Sequence, residues 1–260
     1  MLNILKKKST HLKLIPFLTA GYPNMFVCKQ SLYALANQGA DIIEIGIPYI
    51  DALADGPIIQ AASKVAIEQG THFNEVLSMI RNIQRIMTTP FILFTYYNLI
   101  FVKGVKQFII EIAKINVSGL VIPDLPLEEI EYLLTLCQFF KIELILFLTP
   151  ISSKKRIELI LSAPCNCIYL LSDNGVTGFR KQMHRNTSVL IKTIHSQTNK
   201  CLLLGFGLHT EEQLISISKE KIHAVVLGSV FIKRFTSFKF NQSINQISYL
   251  CKKMKNSLFI

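Results

Sequence analysis

Residues 40–48 read ADIIEIGIP, a stretch that is apolar almost throughout. A strand with one face in water alternates apolar and polar residues, whereas a strand covered on both faces, as in a parallel sheet, is a nearly continuous apolar run. The stretch therefore predicts a strand of a buried parallel sheet. Seven further runs of the same kind occur at 12–20, 90–98, 117–124, 142–150, 166–173, 200–207 and 223–230.

The segments between these runs have apolar residues at helical spacing, for example at 24–39, 104–117 and 126–141. Parallel neighbours need a long crossover connection, usually a helix. Eight strand–helix units are the number that closes a TIM barrel, a parallel eight-stranded (β/α)8 barrel with outer helices. An open doubly wound sheet is the structural alternative, but no GxGxxG follows the first run. We therefore expect an α/β protein with a single (β/α)8-barrel domain over residues 1–260.

Net charge and cysteine usage argue against several classes of protein. The formal net charge is +11, but the lysines crowd the ends, at 5–14 and 251–256, and form no basic stripe, so we expect no nucleic-acid partner. The six cysteines form no CxxC pair and no cluster at metal-ligand spacing, which predicts reduced core residues and no metal site. The sequence contains no bilayer-spanning run and no signal peptide, so we expect a soluble, intracellular protein with no membrane partner.

Glu44 stands in the middle of the quoted run, between Ile43 and Ile45. A buried carboxylate without a partner is costly, and the other runs carry no interior Lys or Arg at a matching level. We expect Glu44 to point into the barrel mouth. Loss of solvent there raises the pKa of a carboxyl group, which suits a residue that transfers protons near neutral pH.

Asp51 and Asp55 follow in the loop after this strand, where the chain is long enough for a loop and two helices before the third strand. Loops after barrel strands build the active site. Asp55 directly precedes Gly56 and Pro57, so a helix-capping role remains open beside a catalytic one, and Asp51 is compatible with a solvated loop residue.

Turns that contain glycine follow the seventh and eighth runs, as GFG at 205–207 and GS at 228–229. In barrels, backbone N–H groups at these two strand ends and at a short following helix form a phosphate site. The polar segment 173–186 after the sixth run has the composition of a lid. The residues alone thus indicate a barrel enzyme with a carboxylate acid/base and a phosphorylated small-molecule substrate.

Several motifs occur in the order found in one known family. PFLTAGYP (16–23), IEIGIPYIDALADGP (43–57), YLLSDNGVTG (169–178) and the two glycine turns resemble the tryptophan synthase alpha chain family over essentially the whole sequence. The resemblance implies a lyase of L-tryptophan biosynthesis without a cofactor of its own, which cleaves indole-3-glycerol phosphate by a retro-aldol reaction into indole and glyceraldehyde 3-phosphate. It also implies a partner, a pyridoxal-phosphate-dependent beta subunit that receives the indole within an α2β2 heterotetramer.

Residue roles follow from the same resemblance. Glu44 matches the carboxylate that takes the glycerol hydroxyl proton and protonates the indole ring carbon, and Asp55 matches the carboxylate that accepts the indole N–H. Asp51 matches a contact with the beta subunit, and Thr177 would link the lid to the Asp55 loop. The substrate-binding residues would be Phe17, Ile59, Phe94, Tyr169 and Phe206 around the indole, with Gly178, Gly207, Gly228 and Ser229 around the phosphate.

The loop sequence departs from the family's usual PFSDPLADGP at Tyr49, Ile50 and Ala52. Loss of a proline should loosen the loop, and Ile50 adds apolar surface near the expected beta contact. Two alternatives stay open: a non-catalytic barrel that activates the beta subunit, and a free-standing lyase that works without it. Residue usage rich in Ile, Lys, Asn and Phe is typical of an AT-rich genome, so we expect the plastid stroma or a bacterial cytoplasm.

Overall fold

The computed structural model describes residues 1–6, 11–171, 185–205, 207–208, 210–235 and 240–258. Within these residues, eight parallel strands pair in chain order and the last pairs with the first, so the sheet is a closed barrel. The strands are β1 (Lys13–Thr19), β2 (Ile43–Gly46), β3 (Phe91–Phe94), β4 (Gly119–Val121), β5 (Glu143–Leu148), β6 (Cys167–Leu171), β7 (Cys201–Gly205) and β8 (Ala224–Leu227). The predicted TIM barrel is confirmed.

Helices surround the barrel. They are α1 (Leu2–Lys6), α2 (Met25–Asn37), α3 (Pro57–Glu68), α4 (Phe73–Ile83), α5 (Tyr97–Lys103), α6 (Val105–Ala113), α7 (Ile130–Phe139), α8 (Lys154–Ser162), α9 (Arg185–Gln197), α10 (Glu211–Ile217), α11 (Ser229–Ile232) and α12 (Phe240–Ser257). The long interval after β2 holds α3 and α4, as its length predicts. Local sequence sets the starts of helices: Asn24 caps α2 by accepting a hydrogen bond from the backbone N–H of Val27 at 2.9 Å.

Each predicted run contains one strand, but the runs are longer than the strands. The third run, 90–98, forms β3 only as far as Phe94, and Tyr97 already begins α5. The apolar character continues beyond the paired backbone because Tyr96, two residues after the end of β3, is buried in the cluster inside the barrel. Apolar composition therefore marks the buried segment rather than the hydrogen-bonded one.

Alternate side chains of each strand pack in two different layers. On β1, Ile15 and Phe17 belong to the cluster inside the barrel, whereas Leu14 belongs to the cluster that packs against the helices. Glu44 pairs with Phe17 in the register of β1 and β2 and lies two residues beyond Ile42, a member of the inside cluster. Since strand side chains alternate with a period of two, the Glu44 side chain lies inside the barrel, as predicted.

Helix α1 covers the N-terminal end of the barrel. Its residue Leu5 is buried in the inside cluster, and the sulfur of Met1 lies 3.0 Å from the position that a Cβ on Gly119 would take. Helix α1 therefore packs against the inside of the barrel at this end, opposite the C-terminal ends of the strands.

The six cysteines are free and buried, as the sequence predicts. No helix in the described part of the chain combines the length and the hydropathy needed to cross a membrane.

Candidate active site

Glu44 is buried inside the barrel, with 1% of its surface exposed. Neither of its carboxylate oxygens has a hydrogen-bond partner among the described residues. Burial, with a smaller contribution from the charge of Asp55, raises the pKa of Glu44 to about 8. The carboxyl group therefore holds its proton at neutral pH and is ready to donate it.

Asp55 lies in the loop between β2 and α3 and is 5% exposed. One of its carboxylate oxygens, Oδ2, accepts a hydrogen bond from the Tyr96 hydroxyl at 3.0 Å. Burial raises the pKa of Asp55 to about 6, and the hydrogen bond from Tyr96 opposes that rise. Asp55 is therefore mostly ionised at neutral pH, in contrast to Glu44.

The capping interpretation of Asp55 is wrong. The residue at the N-cap of α3 is Gly56, and no side chain makes a capping hydrogen bond there. Pro57 occupies the first turn of the helix, where its missing N–H removes one of the groups that a cap would satisfy. The Asp55 carboxylate is consequently not bound by the helix and lies at the barrel mouth beside Tyr96 and near Glu44, and this space is the candidate pocket.

Gln60 holds the Asp55 loop from the side of α3. Its side-chain amide donates hydrogen bonds to the backbone carbonyl of Ala52 at 3.0 Å and to that of Asp55 at 2.9 Å. The Asp55 backbone N–H donates to the Ala52 carbonyl at 3.0 Å as well. These three bonds fix the backbone that carries the carboxylate.

Aromatic rings wall one side of the pocket. Phe17 and Phe94 meet edge to face with ring centroids 5.7 Å apart, as aromatic pairs prefer. Gly46 lies under the Phe17 ring, since a Cβ on Gly46 would come within 2.6 Å of the tip of that ring. The absence of a side chain at position 46 thus makes room for Phe17 beside Glu44.

Tyr169 forms the opposite wall. Its ring stacks on Phe147 with centroids 4.6 Å apart, and a Cβ on Gly205 would come within 2.4 Å of its hydroxyl oxygen. Burial raises the pKa of Tyr169, and the charges of Glu44 and Asp55 raise it further. The Tyr169 hydroxyl therefore lies within electrostatic reach of both carboxylates.

The strand ends at β7 and β8 supply the glycines that the sequence analysis selected. Gly207 follows β7 with a φ of +78°, a conformation that favours glycine. Gly228 caps α11 and Ser229 begins it. A Cβ on Gly228 would lie 3.3 Å from Phe17 and 3.4 Å from Ile59, so this glycine borders the aromatic pocket.

The structure brings most of the predicted site residues to the C-terminal end of the barrel. Asp51 lies in the loop after β2, but its side chain is exposed. Thr177, Gly178 and Phe206 lie outside the described residues. No group of three or more His, Cys, Asp or Glu in the described ranges could hold a metal ion.

A family model described as Tryptophan synthase alpha chain matches residues 3–258. The chain belongs to the tryptophan synthase alpha chain family. The resemblance inferred from the motifs is thereby confirmed, and by family the chain is a lyase of tryptophan biosynthesis.

Relatives of the tryptophan synthase alpha chain family cover nearly all of this sequence. The alpha chain of Gracilaria tenuistipitata var. liui is 46% identical over 256 residues, which are 98% of this chain and 96% of that protein. The alpha chain of Pyropia yezoensis is 44% identical over 245 residues, 94% of this chain and 93% of that protein. A solved mutant alpha-subunit from the hyperthermophile Pyrococcus furiosus is 28% identical with a TM-score of 0.83, and the match covers 95% of this chain and 97% of that chain.

Sequence reasoning missed two residues that act on Asp55 in this tryptophan synthase alpha chain family member. Tyr96 follows Ile92 and Phe94 at intervals of two, so its phase alone could have indicated a side chain inside the barrel mouth. Gln60 carries no such signal, because its two hydrogen bonds depend on how the loop folds back on α3. Only the tertiary structure identifies it.

Proposed function

We propose that this chain cleaves indole-3-glycerol phosphate into indole and glyceraldehyde 3-phosphate. The observation that carries the proposal is the pair of buried carboxyl groups at one pocket, with pKa values of about 8 for Glu44 and about 6 for Asp55. Two carboxyl groups whose environments separate their pKa values can take the acid and the base role at the same pH. Family membership supplies the substrate class.

The order of proton transfers follows from these protonation states. Protonated Glu44 donates its proton to the indole ring carbon that bears the glycerol chain, which makes the ring a leaving group. The resulting Glu44 carboxylate then takes the proton of the adjacent glycerol hydroxyl as the carbon–carbon bond breaks and the aldehyde forms. The bonding electrons return to the ring, so Glu44 ends protonated and no oxidant, reductant or cofactor of this chain is required.

Asp55 stabilises the positive charge that the ring acquires when its carbon is protonated. An ionised carboxylate accepts the ring N–H as this charge develops, and a preorganised group in a water-poor pocket does so without reorganisation. The hydrogen bond from Tyr96 favours the ionised form of Asp55. The roles assigned to the two carboxylates are therefore consistent with their surroundings.

The substrate would bind across the barrel mouth. Phe17, Phe94 and Tyr169 form an apolar slot suited to a flat aromatic ring, and Ile59 borders it near Gly228. The phosphate would lie at the ends of β7 and β8, on Gly178, Gly207, Gly228 and Ser229. Phe206 would complete the slot, and Thr177 would connect the lid to the Asp55 loop.

The surface around the pocket favours a protein partner. Large apolar side chains are exposed on the loops and helices that follow β2, β3 and β5, all on the C-terminal face of the barrel; they are Ile50, Leu53, Phe101, Val102 and Ile151. Exposed apolar side chains on one face of a protein are suited to contact with a partner, because the contact removes them from water. We assign this face to a beta subunit in an α2β2 heterotetramer, with Asp51 at the contact, so that released indole passes directly to its pyridoxal phosphate.

The test is indole release from indole-3-glycerol phosphate by the purified chain, with and without a beta subunit, with Glu44→Gln as the control. We expect turnover that rises with the beta subunit and falls at least about 100-fold in the variant, the range of general acid–base catalysis. Stimulation of the beta subunit without any indole release would instead support the non-catalytic activator. Full turnover without a beta subunit would support the free-standing lyase.

We infer the cellular compartment of this chain from the organisms of its relatives. Two of them come from red algae, which favours the plastid stroma over a bacterial cytoplasm.

A further inference from the structure

Tyr49 lies five residues beyond Glu44, at the start of the loop that carries Asp55. Among the described residues, no hydrogen bond joins Tyr49 to Asp55. Its ring instead stacks on the ring of Tyr96, with centroids 5.1 Å apart and planes 28° from parallel. Tyr49 is therefore connected to Asp55 through the residue that donates to the Asp55 carboxylate.

Two contacts hold Tyr49 and Tyr96 in this arrangement. The side-chain amide of Asn98, in α5, donates a hydrogen bond to the Tyr49 hydroxyl at 3.1 Å. The Tyr96 ring also meets Phe94 edge to face, with centroids 6.0 Å apart. The Asn98 bond is exposed to solvent and contributes less than the stack, because water competes for exposed hydrogen bonds.

We propose that Tyr49 is a positioning residue: by stacking on Tyr96 it holds the Tyr96 hydroxyl on one oxygen of Asp55 and leaves the other oxygen for the ring N–H of the substrate. The inference rests on the function proposed above. The Tyr96 ring carries its hydroxyl at the end of two rotatable side-chain bonds, so a ring that is held by a stacked neighbour and an edge-to-face neighbour confines that hydroxyl. Without Tyr49, one side of the Tyr96 ring faces the solvated loop.

A pH readout separates this role from a merely structural one. The groups that face Asp55 are Tyr96 after β3, Glu44 on β2 and Tyr169 on β6. Of these, only the Tyr96 hydroxyl donates a hydrogen bond that lowers the pKa of Asp55. Loosening Tyr96 should therefore raise that pKa and move the acidic limb of the activity profile to higher pH.

The experiment compares Tyr49→Phe, Tyr49→Leu, Tyr96→Phe and the double variant Tyr49→Leu/Tyr96→Phe in the full chain. Tyr49→Phe keeps the stack and should lose less than about 2-fold in kcat. Tyr49→Leu should lose about 5-fold, the scale of one aromatic pair, with KM nearly unchanged and the acidic limb shifted upward. Tyr249→Leu, at an exposed tyrosine on α12, is the matched control and should keep the activity of the unmodified chain.

The double variant decides whether Tyr49 acts through Tyr96. If it does, Tyr49→Leu adds less than about 2-fold to the loss in Tyr96→Phe, because the group it positions is already gone. Full additivity, or a Tyr49→Leu profile with an unmoved acidic limb, would overturn the inference and leave the proposed function intact.

Indole binding gives a readout that does not depend on turnover. The chain contains no tryptophan, so the fluorescence of added indole reports binding directly. Indole affinity should fall below about pH 6 in the unmodified chain, as Asp55 gains a proton, and at a higher pH in Tyr49→Leu. An unmodified chain that neither binds nor releases indole would overturn the proposed function, and this inference with it.

Discussion

Two carboxyl groups at one pocket, Glu44 and Asp55, have different pKa values, and the surroundings of each group explain the difference. Glu44 lies inside the barrel without a hydrogen-bond donor among the described residues, so burial dominates its pKa. Asp55 is almost as buried but receives the Tyr96 hydroxyl, which stabilises its charged form. Burial raises both pKa values; the hydrogen bond from Tyr96 limits the rise at Asp55, and the charge of Asp55 adds to the rise at Glu44.

The first prediction at this scale concerns pH. The proposed mechanism needs an ionised Asp55 and a protonated Glu44 in the free enzyme, so kcat/KM for indole release should follow a bell-shaped curve. The acidic limb should lie near the Asp55 pKa of about 6 and the basic limb near the Glu44 pKa of about 8. Steady-state kinetics between pH 5 and 9 measure both limbs, which belong to the interacting pair. A value of kcat/KM that still rises between pH 8 and 9 would contradict the role of Glu44 as proton donor.

The second prediction concerns stability. The pKa of Glu44 is about 8 in the folded chain, whereas the ordinary value of a glutamate, which applies to the unfolded chain, is 4.5. Between these values the unfolded chain has released a proton that the folded chain still holds, so stability falls as pH rises through this window. Glu44→Gln removes this loss and should raise the unfolding midpoint at pH 8 by about 5 °C, for a gain of about 2 kcal/mol.

The same variant provides its own control at low pH. Near pH 4, below the unfolded value of 4.5, the side chain is protonated in the folded chain and mostly protonated in the unfolded one, so the two midpoints should converge. Thermal unfolding followed by circular dichroism at both pH values makes the comparison. A variant that is less stable than the parent at pH 8 would show that Glu44 has a stabilising partner.

At the scale of elements, the loop between β2 and α3 owes its shape to the helix that follows it. Gln60, in the first turn of α3, donates to two backbone carbonyls of the loop. The first turn of α3 therefore holds the backbone of the preceding loop through these hydrogen bonds. Movements of a catalytic group by about 1 Å can cost up to about 100-fold in rate, so this support should matter for activity.

Gln60→Leu should lower kcat for indole release by about 10-fold, because Asp55 loses its fixed backbone while the helix itself persists. The matched control is Gln69→Leu, which also removes a side-chain amide bond to a carbonyl, from Gln69 to Pro23 at 2.8 Å, at the other end of α3. Kinetics of both variants, with unfolding midpoints, measure the effect. Equal losses in the two variants would mean that general destabilisation is responsible.

At the scale of the whole molecule, the two ends of the barrel differ in function. Helix α1 packs at the N-terminal end, whereas the C-terminal end carries the carboxylates and an apolar surface. Side chains such as Val102, 78% exposed, and Ile151, 92% exposed, belong to that surface. The proposed substrate site and the proposed contact with the beta subunit therefore lie at the same end of the barrel.

This arrangement predicts which surface substitutions weaken the binding of the proposed beta subunit. Val102→Glu and Ile151→Glu should each lower its affinity at least about 10-fold, since a charge would be buried at an apolar contact. The control is Ile86→Glu, at a residue that is 77% exposed between α4 and β3, on the N-terminal side of the barrel. Calorimetric titration with the beta subunit measures all three. Unchanged affinity in the first two variants would place the contact elsewhere.

Much of this description can be predicted from the sequence, because the period of two along a strand and the apolar runs are local properties. They identify the eight strands and place Glu44 inside the barrel. Strand ends are less predictable: the run at 90–98 continues past β3 because Tyr96 is buried without being paired in the sheet. The role of Asp55, as a helix cap or as a catalytic group, also stays open in the sequence, because its hydrogen-bond donor Tyr96 is 41 residues away.

The sequence by itself determined the barrel, the inward phase of Glu44, the glycines after β7 and β8, and the family. These depend on neighbours along the chain, whose spacing is visible in the sequence. Only the tertiary structure decided that Asp55 is released from α3, that Tyr96 donates to it, and that Tyr49 and Gln60 hold the two sides of this arrangement. The physical reason is that these contacts join segments whose separation is set by closure of the barrel, and their energies depend on distances that no local pattern records.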